Sequence, residues 1–144
     1  MAVGAKLNET RSWPTRYRGP LAICAAKFRG QLGDVQAFWL WEYRKQLGPS
    51  CGNVTELFDE LPRGAVLCVV DLDDCIPTSH ASLGLSIVER DLGNYQPGRF
   101  AWMTSNCRAL REPMPVIGRQ GLFNLDVPEK LFSPAAGDRP DRIP

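Results

Sequence analysis

Apolar and polar positions along the chain fall into short runs of differing period. Residues 7–10 and 21–26 read as two strands, separated by Ser12-Trp13-Pro14 and by Tyr17-Arg18-Gly19-Pro20, where proline and glycine punctuate turns around a basic loop. From 34 to 47 the apolar residues Val35, Phe38, Trp39, Tyr43 and Leu47 recur at helical spacing. With Asp34 as N-cap and Gly48-Pro49 as a stop, this predicts an amphipathic helix that packs most of its aromatics into the core. Asn53 followed three residues later by Glu56 forms a capping box, and Leu57, Phe58 and Leu61 predict a short second helix ended by Pro62. The run 65–72 is β-branched and continuously apolar, the pattern of a strand covered on both faces, with Asp71, Asp73 and Asp74 at its exit. A short helix over 85–92 and a turn at Tyr95-Gln96-Pro97-Gly98 come next. A strand over 100–105, an extended edge over 108–115 with two prolines, and a last strand over 121–125 complete the series. Several short strands with two or three helices, and no alternation of strands with long helices, predict an α+β fold built on a small mixed or antiparallel barrel.

Composition fixes the scale of that fold. The chain has 144 residues, 44% hydrophobic and 23% charged, which predicts one globular domain over 1–132. Residues 133–144 are expected to be a disordered tail, because proline, glycine and charge dominate there and little apolar surface is available to bury. The longest apolar run is about that of residues 65–70, far short of the ~20 residues of a membrane helix. No apolar leader-like stretch follows Met1, so the expectation is a cytoplasmic protein that does not engage a membrane. Five cysteines without a C-x-x-C pair, and the single histidine His80, predict neither disulfides nor a zinc site.

Charge is distributed unevenly behind the net value of +1. Residues 1–48 balance to +5, 49–95 to −6, and the remainder to +2. A polyanion would therefore meet the first third of the chain and the arginines near its end, unless folding intermixes the charges.

The first third also carries a motif. Gly4, Lys6, Glu9 and Arg11 spell G-x-K-x-x-E-x-R, followed by Ser-Trp-Pro-Thr-Arg-Tyr-Arg-Gly-Pro. With Asn94-Tyr95-Gln96-Pro97-Gly98-Arg99-Phe100-Ala101-Trp102 and Gly118-Arg119-Gln120-Gly121-Leu122-Phe123, these blocks resemble the ASCH family over about 4–125. The resemblance implies a PUA-like β-barrel with flanking helices and an RNA or nucleotide ligand. Read physically, the glycine suits a tight turn, and Glu9 and Arg11, two apart on a strand, share one face with Lys6 just before it. Lys6 and Arg11 can hold a phosphate while Glu9 orients them or accepts a proton, or the three can simply pair with one another. Trp13, Arg16, Tyr17 and Arg18 interleave aromatic and basic side chains as single-stranded nucleic acid binding requires, although Trp13 beside a proline also fits burial. Arg99 and Arg119 lie in the later blocks and are further candidates for nucleic-acid contact.

Relatives in that family place a strand and helix before the motif glycine, whereas Met1 stands three residues upstream here. The expectation is a barrel with an uncovered edge, which favours a homodimer. Cys24 also stands where the family run usually carries histidine, so a group that titrates near neutral pH is missing. Three functions compete. The first is a module that binds RNA or another single strand. The second is a hydrolase acting on RNA or a modified nucleoside. Its catalytic candidates are Lys6, Glu9 and Ser105, with a divalent cation in the ribonuclease case and otherwise no cofactor. An N4-acetylcytidine amidohydrolase branch uses a threonine where Glu9 stands, while Thr10 faces the other side of its strand. The third is a protein-interaction module that uses the open edge and Trp41. Asp71, Asp73 and Asp74 suit a hard cation or plain solvation, and His80 reads as solvated.

Overall fold

A computed structural model describes residue 4 and residues 6–47, 52–81 and 84–132. Its frame is one antiparallel sheet of four strands. β1 is Asn8–Arg11, β2 Gly19–Ala25, β3 Ala65–Pro77 and β4 Phe100–Pro115. Their order across the sheet is β1-β4-β3-β2, so the two strands nearest in sequence lie at opposite edges. The helices are α1 Asp34–Glu42, α2 Arg44–Leu47, α3 Val54–Glu60, α4 Thr78–Ala81 and α5 Ile87–Leu92, with a 3-10 turn at Glu129–Leu131. The molecule is thus α+β with an open antiparallel sheet and several helices. None of the described helices is long and apolar enough to cross a membrane.

β3 forms the spine because its first half offers no polar side chain to solvent. Val66, Cys68, Val70 and Leu72 are all but fully buried, and Ala65 and Val69 are also buried. Since alternate residues point to opposite faces, burial of consecutive positions means that both faces are covered, as the apolar run predicts. The strand continues to Pro77, beyond the expected end at 72, so the aspartates lie within it. They are tolerated because Asp71 receives Arg108 at 2.6 Å and Asp74 receives Arg18 at 2.8 Å.

The expected strand at 100–105 and extended edge at 108–115 are one strand. Its first residues lie between β1 and β3, and the rest pairs with β3 alone, apart from an isolated bridge from Leu110 to Phe132. Pro113 and Pro115 fall in that second half, where β1 has already ended. Register shifts along β3 accommodate its length and twist the pair locally.

The capping box of α3 forms as expected, with the Asn53 side chain accepting from Thr55 and Glu56 and the Glu56 carboxylate accepting from Asn53 N. The helix expected over 34–47 differs. It breaks at Tyr43, its N-cap is Gly33 with Asp34 inside the first turn, and none of α1 is buried. Phe38 is 57% exposed. The aromatics satisfy one another instead: Phe38 meets Trp39 edge-on at 5.0 Å, and Arg44 lies 4.2 Å over Trp41. Trp39 donates its indole N–H to Asp91 at 2.8 Å, tying α1 to α5. A single interrupted turn pattern cannot turn four neighbouring aromatics toward one stripe.

Residues 121–125 form no strand. With Gly121 at φ +74° and no partner strand among the described residues, they form a loop. The expected stop at 48–49 and the tail at 133–144 lie outside the described residues.

Candidate functional site

β1 carries the charged motif, and polar ties hold it in place. Glu89 of α5, only 4% exposed, accepts from Leu7 N at 2.6 Å and Asn8 N at 3.2 Å. Tyr95 donates its hydroxyl to the same carboxylate at 2.9 Å and accepts from the Asn8 side chain at 3.2 Å. Burial, with the Glu89 carboxylate beside it, pushes the Tyr95 phenol well above its ordinary range, so the tyrosine stays protonated as the network requires. Arg99 reaches the Thr10 carbonyl at 3.3 Å and the Asn94 carbonyl at 3.1 Å, and Thr104 donates to the Leu7 carbonyl.

Held this way, β1 presents the expected cluster. Glu9 stands between Arg11 at 3.2 Å and Lys6 at 3.6 Å, and Lys6 also donates to the Asn8 carbonyl. Glu9 and Arg11 form one wall of an open cavity of about 620 Å³. The opposite wall is β2 from Pro20 to Cys24, Trp102 is at the base, and the loop at 118–125 supplies Arg119 and Phe123. Both outer strands of the sheet therefore line one cavity.

The loop between β1 and β2 roofs the space. Trp13 packs edge-on against Trp102, ring centres 4.8 Å apart, and accepts the Trp102 indole N–H at its carbonyl. It is 38% exposed, so the burial that its proline neighbour suggested is only partial: one edge rests on Trp102 and the rest faces the cavity and solvent. Tyr17 donates to the Pro20 carbonyl, folding its ring over Gly19. A Cβ at Gly19 would lie 3.5 Å from the tyrosine oxygen, and the backbone there has φ +118°, so glycine lets the loop enter β2 at this point.

Of the candidates read from sequence, Glu9, Arg11, Trp13, Tyr17 and Arg119 meet at this cavity, with Lys6 beside Glu9. The others stand elsewhere. Arg18 is turned to Asp74 and to the carbonyls of Thr15 and Tyr17, which stiffens the loop. Arg99 braces β1, Arg16 is exposed away from the lining, and Ser105 is exposed on β4 opposite Asp71. Thr10 accepts from Asn94 N at 3.1 Å and lies outside the lining, on the far side of its strand from Glu9. His80 is exposed, and Asp71 and Asp74 are occupied by guanidinium groups.

Sequence reasoning missed two contributors. Glu89, on a six-residue helix, reads as an ordinary solvated carboxylate, and no local signal shows that β1 will dock its amides there. The β2 wall of Leu21, Ala22 and Ile23 reads as plain strand. Cys24 ends that wall, and burial pushes its thiol up.

Among the ionisable lining residues, two guanidinium groups face one carboxylate that is already paired, so the cavity attracts anions. Apolar strand, two indoles and a phenol supply flat surface beside that charge. Compared with models of known protein families the chain matches none, and no curated protein shows significant similarity to it.

Proposed function

We propose that the chain is a module that binds RNA or another single-stranded nucleic acid in the cavity between β1 and β2. The observation that carries this reading is the meeting of Arg11 and Arg119 with Trp13 and Tyr17 around one open space. A phosphate pairs with the guanidinium groups, a base lies against the exposed aromatic face, and Glu9 orients Arg11 while offering an acceptor to a base amine or imine. Binding of this kind needs no nucleophile. The convergence of both sheet edges on one cavity, together with the G-x-K-x-x-E-x-R motif, supports a PUA-like barrel of the ASCH type as the finer description of the fold.

The test is a fluorescence titration with short single-stranded RNA and DNA at two salt concentrations, with the strands read on a gel afterwards. Affinity should fall with salt by a log–log slope of about −0.7 for each phosphate held, and Arg11→Ala with Arg119→Ala should weaken binding about tenfold or more. Unchanged affinity in that double variant would overturn the proposal. Cleaved strands that persist through purification would move the reading to the hydrolase, with Lys6 and Glu9 in catalytic roles.

A further inference from the structure

A second cavity, of about 640 Å³, opens at the far end of β2. Cys24 and Gly118 line both cavities, so the two adjoin at the end of the strand and the start of the 118–125 loop. The second is different in kind. Ala25, Ala26, Pro115, Val116 and Ile117 give it an apolar surface, and Lys27 and Arg63 are its ionisable side chains besides the Cys24 thiol. Among the described residues no carboxylate lines it. Ile117 is 88% exposed beside Pro115 and Val116, so its side chain is available to a ligand.

The backbone there is fixed rather than loose. Gly64 N donates to the Ala25 carbonyl at 3.0 Å, and Val116 N donates to the Gly64 carbonyl at 2.9 Å, so three chain segments are stitched together beneath the opening. Arg63 donates to the Phe58 carbonyl at 2.8 Å and lies over the Phe58 ring, and it takes part in no ion pair among the described residues. Lys27 is exposed and takes part in no ion pair among the described residues.

Resting on the nucleic-acid reading of the first cavity, we infer that the two cavities form one track, and that the second receives the neighbouring nucleotides of the same strand. Residues 20–25 run along one side of that track for roughly 17 Å at ~3.3 Å per residue. That length suits about four nucleotides, the lower end of single-stranded site sizes. Lys27 and Arg63 meet the backbone phosphates, and Ile117 with Pro115 offers apolar contact to a base. The first cavity with its aromatics holds one nucleotide closely, and the second adds apolar contact and the donors Lys27 and Arg63, which are engaged by phosphates.

The experiment compares a ribonucleoside monophosphate with a four-nucleotide and an eight-nucleotide RNA of uniform sequence, on the intact chain and on Lys27→Glu, with thermal melting as a folding control. The four-nucleotide RNA should bind at least about tenfold tighter than the monophosphate, and the eight-nucleotide RNA little tighter than the four. Lys27→Glu should abolish that gain while leaving monophosphate affinity and the melting temperature unchanged. Ile117→Asp, a second exposed change on the track, should reduce the same gain. Equal affinity for monophosphate and oligonucleotide, or a length gain that survives both variants, would overturn the track and leave the first cavity standing. Failure of all three ligands to bind at low salt would instead overturn the nucleic-acid reading itself.

Discussion

β1 and β2 occupy opposite edges of one sheet and are held there by opposite means. β2 is seven residues long and lies along the buried half of β3, so its ladder, shifted once between Ile23 and Cys24, and apolar neighbours secure it. β1 has four residues, pairs with β4 only, and carries Glu9 and Arg11 in its short sequence NETR. A strand so short and polar gains little from burial, and side chains from elsewhere supply the difference: Glu89, Tyr95, Arg99 and Thr104 all bond to it or to its flanks. The edge that displays the charged motif is thus fixed by polar contacts. The edge that forms the apolar wall is fixed by packing.

Changes that weaken one edge and spare the other sharpen this contrast. The largest effect should come from Leu72→Ala, since Leu72 is only 1% exposed on β3 and pairs with Gly19 at the start of β2. A loss of about 3 kcal/mol in denaturant unfolding is expected, with both edges melting together because β3 supports the whole sheet. Glu89→Gln should cost about 2 kcal/mol, because one carboxylate there receives three donors and an amide exchanges an acceptor for a donor. Hydrogen exchange should then show faster opening at Leu7 and Asn8 than in β2. Uniform loss across both edges would contradict the division.

A smaller effect belongs to pH. The folded chain holds the Tyr95 phenol above its ordinary value of 10.0, mainly through burial. A raised phenol means that the neutral form is favoured on folding, so the associated stability is full below about pH 10 and is lost as pH rises from there toward the folded value. Tyr95→Phe should flatten that alkaline decline in melting temperature. A decline as steep as in the unaltered protein would remove Tyr95 from the account.

How much of this the amino-acid sequence revealed follows the same division. β2, the buried half of β3 and the capping box of α3 were legible because period and capping chemistry are local. The pairing of Glu9 with Arg11 was legible for the same reason, being set by a two-residue spacing. Glu89, 81 residues away from Asn8, was not, since only tertiary docking makes that carboxylate an acceptor for β1. The aromatic helix misled because periodicity counts apolar residues and cannot show that Tyr43 interrupts the helix or that Arg44 covers Trp41. Trp13, Arg11 and Arg119 were each visible as candidates. Their convergence on one cavity depends on the strand order that sets β1 and β2 at the two edges and on the placement of the 118–125 loop, which no local pattern records.

The central claim is that this cavity, and not the aromatic helix, receives the ligand. The most direct measurement is a map of backbone amide NMR shifts as a short single-stranded RNA is added. Shifts are expected at Glu9, Arg11, Trp13 and Tyr17, along β2 and around Arg119, with α1 unmoved. Shifts centred on Phe38 and Trp41, with the cavity residues silent, would contradict it.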